Sequence, residues 1–323
     1  MHRFIKHIIP FVLILFSGCI LKKKDLPEKT ITPVLPGKFL VVLGITQDAG
    51  YPQIGCSREC CLAYWKGEES RKQVTCLALV DRNTGRYWLI EATPDIPVQL
   101  HSLQNYLPVA NDYSPDGIFI THAHTGHYTG LMHLGREAMG ARQIPVWVMP
   151  RLDSFLRDNG PWSQLVNLEN ISLRQLMSDS TCSPDTGFSI TPMRVPHRDE
   201  YSETVGFRIR TMGKNVLFIP DIDKWEKWER DIAGEIASSD IALLDGTFFE
   251  DGELPGRDMR EVPHPFVQES MKRFASLSPA ERAKIVFIHF NHTNPLVRKS
   301  SPEKQAVLKA GFGVAEEGMV IGL

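Results

Sequence analysis

Short apolar runs with a β-branched bias recur along the chain, and most stop at a polar or ionisable residue. Phe39 to Thr46, Val74 to Asp81 and Tyr87 to Ala92 read as strands, the last two joined by a turn at Arg82-Asn-Thr-Gly85. Ile118 to Ile120, Pro145 to Met149, Phe188 to Val195, Thr204 to Arg210, Asn215 to Ile219, Ile241 to Leu244, Lys284 to Phe290 and Met319 to Gly322 continue the series. Helical patterns cover Asp95 to Tyr106, Tyr128 to Met139, 151–158, the stretch around Trp225 and Trp228, His264 to Leu277 and Pro302 to Ala310. Residues 150–187 are less regular and include a loop around Cys182. Two strand-rich halves, each carrying helices, predict an α/β (α+β) fold with two sheets face to face and helices outside.

The run Ile118 to Ile120 leads straight into His122, His124 and His127, three of the chain's 11 histidines. His122 and His124 point the same way while the chain is extended, and His127 joins them from the turn that follows. Three neutral imidazoles facing one point make a ligand set for a transition metal, zinc or iron above all. Four more strand ends carry a ligand type: His197 after Val195-Pro196, Asp221 after Ile219-Pro220, Asp245 after Leu244, and His289 after Ile288. Rigid sheets hold reactive groups at such ends. A lone Asp there is as often a turn initiator or cap, so Asp245 is balanced between the two roles.

Composition adds limits. A 323-residue chain with 42% hydrophobic and 23% charged residues is ordinary for a globular enzyme. Its net charge of −2, with no basic stripe in the mature part, gives a nucleic-acid partner no electrostatic support. The first residues differ in kind. Arg3 and Lys6 precede the apolar run Ile8 to Phe16, and Ser17-Gly18-Cys19 follows. Leu15 to Cys19 is similar to a bacterial lipobox, with Phe16 where Leu is commoner; a plain signal peptide or an uncleaved anchor would also export the chain. The expected organisation is a lipoprotein-type signal at 1–18, a Lys- and Pro-containing tether at 19–37 and one domain at 38–323. Cys19 would be lipidated, leaving an exported, membrane-anchored protein.

The series His122-Ala-His124-Thr-Gly126-His127, then His197, Asp221 and His289, resembles the pattern of the metallo-β-lactamase-fold hydrolases. Asp48-Ala-Gly-Tyr-Pro-Gln53, Glu91-Ala-Thr-Pro-Asp95, Leu244-Asp-Gly-Thr-Phe-Phe249 and Ile288-His-Phe-Asn-His-Thr-Asn-Pro295 point within that superfamily to the pyrroloquinoline-quinone biosynthesis protein B branch and its phosphodiesterase relatives. The resemblance implies an αββα sandwich of two mixed sheets. It also implies a first metal on His122, His124 and His197, a bridging Asp221, and a second metal on His127 and His289. The family's usual carboxylate before the last His of the loop is Gly126 here, which implies a weaker second site, a single-metal enzyme or a degenerate one.

By the same resemblance the cofactor is zinc, one or two ions, with manganese or iron also suited. His264 lies 25 residues before His289 and matches an acid histidine of phosphodiesterase relatives; a helix-start residue without chemistry is the even alternative. Cys56, Cys60, Cys61 and His292 correspond to a structural zinc site of that branch. Arg58 stands where its middle Cys belongs, and an oxidising compartment would favour a disulfide instead. The expected activity is hydrolysis of a phosphodiester, ester or lactone bond in a small-molecule substrate by metal-bound water, with Asp221 and His264 as catalytic groups. The alternative is a protein like those of pyrroloquinoline-quinone biosynthesis, with iron and oxygen chemistry or a cofactor-carrying role.

Overall fold

The computed structural model describes residues 35–109 and 113–323. Fourteen strands are present among them: β1 (Lys38–Gly44), β2 (Cys76–Asp81), β3 (Arg86–Ile90), β4 (Gly117–Phe119), β5 (Ile144–Val148), β6 (Ile171–Gln175), β7 (Cys182–Asp185), β8 (Phe188–Arg194), β9 (Val205–Arg210), β10 (Asn215–Ile219), β11 (Ile241–Asp245), β12 (Ile285–Ile288), β13 (Gly313–Val314) and β14 (Val320–Gly322). They form two seven-stranded sheets, ordered β14-β1-β2-β3-β4-β5-β6 and β13-β12-β11-β10-β9-β8-β7. Both are mixed. β1 to β3 run antiparallel and β3 to β6 parallel, whereas β7 to β10 run antiparallel and β10 to β13 parallel.

The continuous apolar runs follow from burial on both faces. In β1, Leu40 and Val42 enter the core that continues into the second sheet, while Phe39, Val41 and Leu43 join an outer core. β2 divides in the same way, Leu77 and Leu79 from Ala78 and Val80. Helices Ile96–Leu103, Pro150–Asp158 and Trp162–Asn167 bury Ile96, Leu100, Leu152, Leu156 and Leu165 in the outer core. Ile232, Ile236, Val267 and Val307 cover the second sheet from helices Ile232–Ala237, Val267–Arg273 and Pro302–Lys309.

Several local expectations change. The helix expected over Tyr128 to Met139 is one α-turn, Thr125–Tyr128, followed by a 3-10 segment, Thr129–Leu134. Gly130 explains part of this: its N–H donates to the Ala92 carbonyl (2.8 Å), and a Cβ there would collide with the Thr93 carbonyl. The expected loop around Cys182 is strand β7, and helix Trp162–Asn167 and strand β6 lie in the stretch that lacked a regular pattern. His264 precedes its helix, which begins at Val267.

The lipoprotein signal, lipidation at Cys19 and nearly all of the tether lie outside the described residues. The membrane-anchor reading is corrected: no helix among the described residues is long and apolar enough to cross a membrane. The apolar run Ile8 to Phe16 is itself too short to span one, and the lipoprotein, signal-peptide and anchor assignments gain no support from the described residues.

Candidate metal centre

The strand ends of the two sheets meet. The loop after β4 brings His122, His124 and His127; β8, β10 and β12 deliver His197, Asp221 and His289. Donor atoms of His122, His124, His197 and Asp221 lie within 4.8 Å of one another, as do those of Asp48, His127 and His289. Asp221 stands between the groups. Its Oδ2 is 3.3 Å from His122 Nε2, 3.8 Å from His124 Nδ1 and 3.9 Å from His127 Nε2. Its Oδ1 is 3.1 Å from His197 Nε2 and 3.2 Å from His264 Nδ1.

These groups fit a bound cation. His122 Nε2, His127 Nε2 and His289 Nε2 are buried with no hydrogen-bond partner among the described residues. Each such atom costs about 1–3 kcal/mol if left unsatisfied. Imidazole nitrogens around a shared carboxylate are the donor set of zinc or a related transition metal.

A second layer of polar groups orients the rings. The Thr121 hydroxyl donates to Glu91 Oε1 (2.6 Å) and lies 2.9 Å from His122 Nδ1. Glu91 Oε1 is also 3.3 Å from His127 Nδ1. Asp223 Oδ1 lies 3.3 Å from His197 Nδ1, and the Thr247 hydroxyl 3.0 Å from His289 Nδ1. Partners of this kind fix which nitrogen is free to bind a metal. Glu91 (φ 83°) and His289 (φ 69°) both sit in the left-handed region just beyond their strands. Non-glycine residues rarely do so, and such positions gather at functional sites.

Electrostatics separate the rings. Burial disfavours charge on His127, but Glu91, Asp48 and Asp221 outweigh it and raise the pKa to about 9. Burial is likewise outweighed at His197 by Asp221 and Asp223, giving about 10. Burial, reinforced by charge on His127, depresses His122 well below its usual value and His289 to about 4. Burial alone would raise the Asp221 carboxyl; His197 and His264 more than reverse this and hold it well below the carboxylate range.

His264 is buried beside the same carboxylates. Its Nδ1 lies 2.9 Å from Asp245 Oδ2, and Asp245 also accepts the N–H groups of Ile222 (3.1 Å) and Thr247 (2.8 Å). Burial works against a charged His264, but Asp245 and Asp221 prevail and raise its pKa. The ring lines a cavity of about 450 Å³ that also carries Arg58, Arg198, Arg257, Phe248 and His292.

A separate group joins Cys56, Cys60, Cys61 and His292, whose donor atoms all lie within 4.8 Å. The cysteines are free, and Cys56 and Cys60 Sγ are 3.6 Å apart, beyond any S–S bond. In an extended chain Cys60 and Cys61 would point apart. They lie instead in the first turn of helix Glu59–Trp65, where neighbours are about 100° apart. Both ring nitrogens of His292 are buried without a hydrogen-bond partner among the described residues. This set fits zinc.

Asp48, Glu91, Asp223 and Thr247 had no role assigned from the sequence. Glu91 follows β3 directly and Asp48 lies shortly after β1, so the strand-end rule reaches both. Thr247 lies in the run Leu244 to Phe249 that carries the resemblance, and Asp223 sits in a loop without a sequence signal.

Comparison with known proteins agrees with this geometry. Residues 86–290 match a family described as Beta-lactamase superfamily domain. The chain is 26% identical over 305 residues to Coenzyme PQQ synthesis protein B of Methylorubrum extorquens (strain PA1), covering 88% of this chain and 99% of that one. Its counterpart from Klebsiella pneumoniae (strain 342) is 28% identical over 313 residues, covering 88% and 98%. Zn(2+)-bound PqqB from Methylobacterium extorquens superposes with a TM-score of 0.75 at 25% identity, covering 88% of this chain and all of that one. A diphosphatase of the PhnP family shares the fold, with a TM-score of 0.59 at 21% identity over 88% of this chain and 96% of that one. The strand-end histidines, the double sheet and these likenesses agree: the chain belongs to the β-lactamase superfamily, in its PqqB-like branch.

Proposed function

We propose that the chain is a metal-dependent hydrolase of a phosphodiester or similar ester or lactone bond. The observation that carries this reading is Asp221, set between the two imidazole groups with one oxygen also facing His264. A zinc-type cation bound there would acidify a water and polarise the substrate oxygen. The chain's own groups do the rest. Glu91, Asp223 and Thr247 hold the imidazoles in their rotamers. Asp245 fixes the Nδ1 edge of His264 and, with Asp221, favours a proton on the ring at the cavity, where it would be available to a leaving-group oxygen. Arg58, Arg198 and Arg257 give the cavity wall a positive field suited to an anionic substrate.

The test is turnover of a chromogenic phosphodiester, a lactone and a β-lactam by the purified full chain, with metal content measured alongside. Diester turnover that is lost on chelation and restored by zinc or manganese is the expected result. Metal-loaded protein inert toward all three substrates would overturn the reading.

A second reading, chemistry like that of the curated relatives named Coenzyme PQQ synthesis protein B, is favoured by the near-complete coverage of their length. A site with five imidazoles also suits iron and oxygen. Oxygen uptake by iron-loaded protein, without ester turnover, would favour it; a cofactor carrier would show neither.

A further inference from the structure

We infer that Asp48 supplies the carboxylate of a second metal position, in place of the residue missing at 126. The inference rests on the metal-centre reading above and adds a ligand to it.

Gly126 lies between His124 and His127 and has no side chain to offer. The space beside it is filled from another part of the chain. A Cβ on Gly126 would stand 2.5 Å from the Asp48 Cα and closer still to its carboxylate. The Gly126 N–H donates to Asp48 Oδ1 (3.0 Å), across 78 positions of sequence. The same oxygen lies 3.4 Å from His127 Nε2. Asp48, His127 and His289 thus bring three donors within 4.8 Å, and the His127 and His289 Nε2 atoms are buried without hydrogen-bond partners among the described residues. Those unpartnered nitrogens point to a ligand independently of the acid.

Asp48 is also held in place. Gln47 Nε2 donates to Asp48 Oδ2 (3.1 Å) while Gln47 Oε1 accepts from Asn291 Nδ2 (3.0 Å). The Gln47 N–H donates to the Phe290 carbonyl (2.8 Å), so the loop after β1 is fastened to the strand end that carries His289. Glycine at 126 is therefore the condition for Asp48 to approach. Two imidazoles, Asp48 and the shared Asp221 make a four-donor set of hard and borderline ligands, suited to zinc or manganese.

The test uses Mn2+ as probe on the full-length protein, because thiolates bind it poorly and the cysteine group stays silent. Titration followed by electron paramagnetic resonance should give two ions per chain in the wild type, with the broadened signal of a coupled pair. Asp48→Asn keeps the shape and the Gly126 contact but removes the charge. It should weaken the second ion by at least about 100-fold, the upper end of what loss of even an outer-sphere partner costs. It should leave the first ion bound, with an uncoupled six-line spectrum. Gly126→Ala should do the same by displacing the acid, and decides the matter if Asp48→Asn does not fold. A coupled pair retained in either folded variant, or a wild type that binds only one ion, would overturn the role of Asp48. A wild type that binds no ion at all would instead overturn the metal-centre reading.

Discussion

His124 is the least enclosed imidazole of its group, with 13% of its side chain exposed against 1% or less for His122, His127 and His197. Its Nδ1 lies 3.3 Å from His197 Nε2, so His124→Ala deletes one donor without opening the core. Metal affinity should fall by at least about 10- to 100-fold, and activity with it; a fully metallated, fully active variant would contradict the ligand set. His264 is expected to behave differently because it touches carboxylates and the cavity. His264→Gln should keep its metal and lose about 10²- to 10⁴-fold in kcat on a diester with an alkoxide leaving group. A nitrophenolate needs no proton, so its loss should be small. Equal losses on both substrates would remove the acid role. At this scale the spacing of His122, His124 and His127 was readable because three donors share one turn. Asp48 was not, because its meaning lies in a contact with Gly126 that no local pattern encodes.

Strand β4 is only three residues long, yet it carries the histidine loop. Its position depends on Gly117. The Trp147 ring lies where a Gly117 side chain would project, and stacks on Phe119 with centroids 4.5 Å apart and planes 6° from parallel. Gly117→Ala should force that stack apart and cost about 1–3 kcal/mol as an overpacked site. Chemical denaturation should show a lower midpoint, with metal stoichiometry unchanged in the folded fraction; an unchanged midpoint would mean the stack yields freely. The apolar strands were legible since burial on both faces leaves them little polar content, as in β2 and β12. The stretch after His127 misled because Leu131 and Leu134 are buried at helical spacing. The Gly130 contact with the Ala92 and Thr93 backbone tightens it to a 3-10 turn, a tertiary effect without a local signature. β7 reads as loop for the opposite reason: Cys182-Ser-Pro-Asp185 has no apolar run, and only pairing with β8 makes it a strand.

Over the whole molecule, ligands from both sheets share each candidate site. The His cluster hangs from β4 in one sheet, whereas His197, Asp221 and His289 come from the other. The cysteine group repeats the arrangement. Cys56, Cys60 and Cys61 follow β1, and His292 follows β12, which lies in the second sheet. A zinc there would clamp the sheets together, and its binding free energy would add to fold stability. Holding free zinc at about 100 times Kd gives about 2.7 kcal/mol, or roughly 4–5 °C in Tm for a domain of this size. Cys61→Ser is the variant to make, because Cys61 is fully buried and does not line the cavity beside His264. It should bind one zinc fewer, melt lower, and lose most of the dependence of Tm on free zinc. The rate constant per remaining metal centre should change little, since the second sheet still positions His197, Asp221 and His289. A Tm that still rises with free zinc as steeply as in the wild type, at unchanged zinc content, would end the idea of a clamp.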